Sequence, residues 1–143
     1  MEQLKLSNQF CFPFYVANRM ITKLYQPILE NHGLTYPQYL VLMVLWENDA
    51  LPVKEIGKAL YLNTNTLTPL LKRMEAMELI TRKRDTVDER KVYIKLTQKA
   101  NDIQQDMACV PMELFTKLGM PLDQMKRIKS DLQTVIEALE NTK

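Results

Sequence analysis

Glycine is scarce in this 143-residue chain, with three residues against seven prolines. Apolar–polar alternation is confined to one short stretch, so a sheet-rich architecture is excluded and a mostly helical one is predicted. No apolar run approaches the ~18 residues of a membrane-spanning helix. The opening MEQLKLSNQF lacks a basic segment followed by an apolar one, so the expectation is a chain that stays in the cytoplasm and touches no membrane. Two cysteines are too few for a disulfide framework and leave two thiols to explain. The single histidine, His32, has no cysteine or carboxylate at ligand spacing, so neither a metal nor a cofactor is expected. A net charge of +2 is too weak to establish a nucleic-acid partner by itself.

What is present is a soluble globular composition, 46% hydrophobic and 25% charged. Its most informative stretch runs from Asn63 to Leu96. Leu67, Leu70, Leu71, Met74 and Met77 form the apolar stripe of one helix, while Asn65, Thr66, Thr68, Lys72 and Arg73 fall on its other faces. Leu79-Ile80 then leads into Arg82-Lys83-Arg84 and a polar stretch, Asp85 to Arg90. Beyond it Val92, Ile94 and Leu96 alternate with Lys91, Tyr93 and Lys95, the period of a half-buried strand with a cationic outer face. From Lys72 to Lys95 there are eight lysines or arginines against five acids. A helix followed by a hairpin with a charged tip describes a winged helix-turn-helix, mainly α with a small β-hairpin wing.

Upstream, Phe10, Phe14, Ala17, Ile21, Leu24 and Ile28 repeat at 4, 3, 4, 3 and 4, the seam of a long first helix. Pro13 favours a start near Phe12 with Cys11 just before it, and Gly33 suits the residue beyond the helix end. Pro37 to Trp46 reads as a second helix, Leu51 to Val53 as a short strand and Val53 to Leu60 as a third helix. Tyr61 to Asn63 is the turn into the fourth, in which Pro69 sits early. Thr97 caps a fifth carrying Ala100, Ile103, Met107 and Val110, which Pro111 kinks or ends. A sixth spans about Leu122 to Leu139, with Met125, Ile128, Leu132, Val135, Ile136 and Leu139 on one stripe. The expectation is one domain over 1–143, with a DNA-binding core over 35–97 and dimerisation helices over 6–32 and 98–143. A homodimer would present two recognition helices to a pseudo-palindromic double-stranded site.

The segments LTYPQYLVLMVLWE (Leu34 to Glu47), LTPLLKRME (Leu67 to Glu75), LITRKR (Leu79 to Arg84) and DER (Asp88 to Arg90) resemble MarR-family transcriptional repressors. NQFCF around Cys11, followed by the tyrosine-rich segment, resembles the organic hydroperoxide resistance branch. The resemblance implies a dimeric repressor, not an enzyme, that leaves its operator when an organic hydroperoxide oxidises the N-terminal cysteine. It makes Cys11 the peroxidatic thiol, Tyr25 and Tyr36 its hydrogen-bond partners with Tyr15 nearby, and Cys109 a possible resolving thiol. It also sends Arg90 into the minor groove with Asp88 holding it. Where that family often has an Asp-Ser-Gly triplet, this chain reads Asn63-Thr64-Asn65.

The residues carry their own chemistry. A thiol at a helix N-terminus faces unpaired N–H groups and the positive end of the macrodipole, which favours the thiolate that attacks a peroxide O–O bond. The bland alternative is a small buried hydrophobe among Phe10, Phe12 and Phe14. Cys109 reads equally as a buried structural thiol, and Tyr25 and Tyr36 as ordinary core packing. Arg82, Lys83, Arg84 and Arg90 suit a narrow, negative minor groove, or else form a solvated hairpin. Lys72 and Arg73 reach phosphate or solvent, and Asn65, Thr66 and Thr68 are the base-edge candidates. Two competing functions keep part of this evidence: a repressor released by an apolar or phenolic ligand, and a thiol peroxidase with an incidental basic hairpin.

Overall fold

A computed structural model describes residues 1–142, which form two compact units, Met1–Ala108 and a second beginning at Cys109. In the first unit, helix α1 (Phe12–Glu30) and helix α2 (Tyr36–Glu47) precede a short strand β1 (Leu51–Pro52). Helices α3 (Val53–Leu60) and α4 (Thr64–Ala76) follow, then strands β2 (Ile80–Arg84) and β3 (Val92–Leu96) and helix α5 (Gln98–Met107). The sheet runs β1-β3-β2, antiparallel throughout, with Arg82 opposite Ile94 and Leu51 on the other side of Ile94. This is a winged helix-turn-helix: α3 and α4 are the helical pair and β2–β3 the wing.

The expected helix ends stand where local chemistry put them. Cys11 is the N-cap of α1, with Pro13 in the first turn. Its C-terminus closes through Gly33 at φ 65°, with Leu34 N–H donating to Leu29 O and Gly33 N–H to Glu30 O, both at 3.0 Å. That is a Schellman closure, and the two leucines it brings together are buried. Thr97 caps α5 by accepting from Ala100 N–H at 3.3 Å. Helix α2 is capped as well: Thr35 and Gln38 form a reciprocal capping box.

The stripe Leu67, Leu70, Leu71 and Met74 is buried, together with Leu42, Leu45, Ile56, Leu79, Ile80 and Ile94. Between α3 and α4 the turn is so tight that a Cβ on Gly57 would lie 2.7 Å from the Leu62 carbonyl oxygen, so only glycine fits. Pro69 sits in the interior of α4 rather than at its edge, and the helix continues past it.

One boundary is corrected. The fifth helix stops at Met107, and Val110 belongs to a separate helix α6 (Val110–Leu118) in the second unit, with Pro111 in its first turn. Proline here starts a helix, because the N–H it lacks would be unpaired there anyway. Helix α7 (Leu122–Glu140) matches the expected last helix, which is therefore the seventh. None of its residues is buried, although Ile128, Leu132 and Leu139 are large and apolar. Helix α1 likewise buries only Leu29 and leaves Tyr15, Met20 and Ile21 exposed.

Candidate nucleic-acid interface and thiol centre

Helix α4 turns its apolar stripe inward, so its polar residues are set outward by default. Asn65, Thr66, Lys72 and Arg73 are exposed and Thr68 is half-buried. Asn63 is the cap, its side chain accepting from Thr66 N–H at 2.9 Å. The wing stands beside this helix, and its tip is built by short-range side-chain bonds. Asp85 accepts from Val87 N–H, while Arg84 Nη1 donates to the Glu89 carbonyl at 3.2 Å. Asp88 Oδ1 accepts from the Arg90 backbone N–H at 3.1 Å and from its Nε at 3.4 Å. Arg90 is thereby tethered while its side chain stays 94% exposed.

Between α4 and the wing lies a groove of about 250 Å³ onto which Thr68, Arg82 and Arg90 converge. Lys54, Thr64 and Lys91 line it too, three residues that sequence reasoning missed. No local signal marks them, since they come from α3, the start of α4 and the residue before β3.

The thiol centre is assembled differently. Cys11 is exposed in the single chain and its side chain makes no capping hydrogen bond. Tyr15, one turn on, is exposed and accepts from Arg19 Nη1 at 2.9 Å. Tyr25 and Tyr36 meet ring to ring, with centroids 4.8 Å apart, because the closure at Gly33 folds α2 back on α1. Tyr39 joins them at 5.7 Å from Tyr25, and Trp46 stands 6.2 Å beyond Tyr39. Burial pushes the Tyr25 phenol up to about 12, with Tyr36 and Tyr39 adding to the effect, and burial raises Tyr36 and Tyr39 as well. These phenols remain hydrogen-bond donors at any physiological pH.

Cys11 and Tyr25 stand 14 residues apart on α1, roughly 20 Å along its axis, and do not meet within one chain. Cys109 is the exposed N-cap of α6. His32 is paired with Asp106, Nε2 to Oδ2 at 3.8 Å, a partner 74 residues away that spacing did not reveal. Among the described residues no cluster of three or more metal-ligating side chains occurs. Nor, among the described residues, is any helix long and apolar enough to cross a membrane.

Comparison with known proteins places this geometry. Residues 23–107 match the family model described as transcriptional regulator SarA/Rot. The organic hydroperoxide resistance transcriptional regulator of Bacillus subtilis is 44% identical over 96% of this chain and 94% of its own. AbfR of Staphylococcus epidermidis, solved reduced and bound to DNA, is 36% identical, with a TM-score of 0.75 over 96% of each chain. The same regulator has been solved overoxidised on DNA and in a disulfide form, with TM-scores of 0.77 and 0.63. A mutant of MarR from E. coli in complex with operator DNA shares the fold, with a TM-score of 0.78 at 23% identity.

Proposed function

The chain belongs to the SarA/Rot family of MarR-type winged-helix transcriptional regulators, and from that premise we propose that it is a repressor released from its operator when an organic hydroperoxide oxidises Cys11. That it is a DNA-binding transcriptional regulator follows from the family. The sensing step rests on one observation above all: Tyr25 and Tyr36 form a half-buried ring pair whose hydroxyls stay protonated. Such donors suit a thiolate or a peroxide oxygen. If Tyr25 and Tyr36 serve Cys11, the distance along α1 means that they do so from a second copy of the chain. The apolar faces of α1 and of α7, each left uncovered, supply what a homodimer would bury.

In the reaction, the Cys11 thiolate attacks the terminal oxygen of the hydroperoxide. The O–O bond breaks and the alkoxide leaves, taking a proton from water to give the alcohol, while Cys11 becomes a sulfenic acid. A second thiol, either Cys109 or a small cellular thiol, condenses with it to a disulfide and expels water. We assign release to the disulfide rather than to overoxidation, since overoxidised AbfR was found on DNA. On the DNA side, Thr66, Thr68 and Asn65 face base edges, Arg90 enters the minor groove tethered by Asp88, and Lys72, Arg73, Arg82 and Arg84 meet phosphate.

The test is retention of operator DNA by wild type and Cys11→Ser, with and without an organic hydroperoxide plus a small thiol, at fixed salt. Release of wild type alone is expected. Release of both would favour the second reading, a repressor released by an apolar or phenolic ligand. For that reading the first unit offers an open groove of about 870 Å³ lined by Arg19, Lys23, Leu29, Leu34 and Tyr36.

A further inference from the structure

The groove between α4 and the wing has a feature that minor-groove reading by Arg90 does not use. Arg82 is half-buried, and its Nε is sealed from solvent without any hydrogen-bond acceptor among the described residues. A buried donor left unpaired is unfavourable, and more so on a charged group. Arg82 also lies in a cavity lined by three further cations, Lys54, Arg90 and Lys91, and by two threonines, Thr64 and Thr68. No carboxylate lines it. Four positive side chains around one groove, of which only Arg90 has a carboxylate partner, Asp88, together with an orphan N–H, suit an anion.

We propose that this groove seats one backbone phosphate of the bound duplex, with Arg82 Nε and the Lys54 ammonium as its principal donors and Thr64 beside them. The proposal rests on the DNA-binding reading and adds to it. Such a contact carries no base information. It fixes the register of α4 against the strand, so that the threonines and Arg90 find their bases. The construction explains why the lining comes from separate elements, with the cations on α3 and the wing and the threonines on α4: a phosphate clamp anchored on all three locks their relative placement on the DNA. Arg82 is the one member that loses something when the groove is empty, which makes it the best reporter of occupancy.

The experiment is a salt titration of binding by the full-length protein. It uses two probes, an operator duplex selected from a random pool and a random-sequence duplex of equal length. Lys54→Gln and Arg82→Gln should each weaken both duplexes by a similar factor and flatten the slope of log K against log salt by about 0.9 for each groove engaged. Arg82→Lys keeps a charge but lacks the Nε donor, so it should keep the wild-type slope and still bind more weakly. Lys54 is exposed on α3, so its variant remains informative if Arg82→Gln folds poorly. Wild-type slope and affinity in Lys54→Gln and Arg82→Lys would overturn the clamp. A loss confined to the operator would also overturn it, since a phosphate contact cannot discriminate sequence. If wild type itself retains neither duplex at low salt, the DNA-binding reading fails and the clamp fails with it.

Discussion

Replacing Asp88 by alanine separates two effects that a carboxylate at a DNA-facing tip exerts with opposite sign. Its charge repels phosphate, so if charge alone mattered its removal would tighten binding. Its Oδ1 also holds Arg90, through the backbone N–H at 3.1 Å and through Nε at 3.4 Å. An exposed pair of this kind contributes on the order of 0.2–1 kcal/mol to folding, so the melting temperature should hardly move. An untethered Arg90 must instead surrender its rotamer freedom on binding, which costs about 0.5–1.5 kcal/mol. That corresponds to a loss of about 2- to 12-fold in affinity. Removing the side chain altogether, in Arg90→Ala, should cost about 1–3 kcal/mol, or roughly 5- to 150-fold. The two changes should not add: in the Arg90→Ala background, Asp88→Ala has nothing left to release, and only the lost repulsion remains. Fluorescence anisotropy on the four proteins of this cycle, at one salt concentration, reads both signs. Equal weakening by Asp88→Ala in both backgrounds would refute tethering, and tightening in the presence of Arg90 would leave charge as the only role.

Gly57→Ala should destabilise the first unit by about 1–3 kcal/mol, the ordinary effect of overpacking, because the new Cβ meets a backbone oxygen at 2.7 Å; a denaturant midpoint equal to that of wild type would contradict the close approach. Glu78→Gly should stabilise, by about 0.5–1 kcal/mol, because Glu78 holds φ 59° just beyond α4; a lower melting temperature would show that its side chain matters. Tyr25 sits at about 12 in the fold against an ordinary 10.0, so its contribution to stability is complete below pH 10 and is lost as pH rises from 10 through 12. Tyr25→Phe should remove part of the wild-type stability loss in that window, measured by unfolding at pH 9 and pH 11, and should also slow Cys11 oxidation near neutrality.

What the sequence disclosed was whatever a few neighbouring residues decide. The stripe of α4 was legible because Leu67, Leu70, Leu71 and Met74 are buried by one helical period. Cys11, Thr97 and Gly33 were legible because caps act within four residues. The break before α6 was not, since Ala100, Ile103, Met107 and Val110 keep the helical rhythm across it. Only Pro111 marks the new start, by the same preference that placed Pro13 correctly, and proline signals an end as readily as a beginning. Beyond that range pattern is silent. Gln38 donates to Met77 Sδ across 39 residues, and Asp49 accepts from Leu96 N–H across 47. Trp46 Nε1 reaches the Ala100 carbonyl across 54. The same division runs through the candidate site residues. Arg82, Arg84, Asp88 and Arg90 crowd together in sequence, and a charge run is visible to inspection. Lys54 is a lone lysine on a short helix, indistinguishable there from any solvated side chain. It acquires a role only when β1, paired to β3, carries the start of α3 to the foot of the wing. For that reason the clamp is the sharper test of the fold: its residues share nothing but the geometry that assembles them.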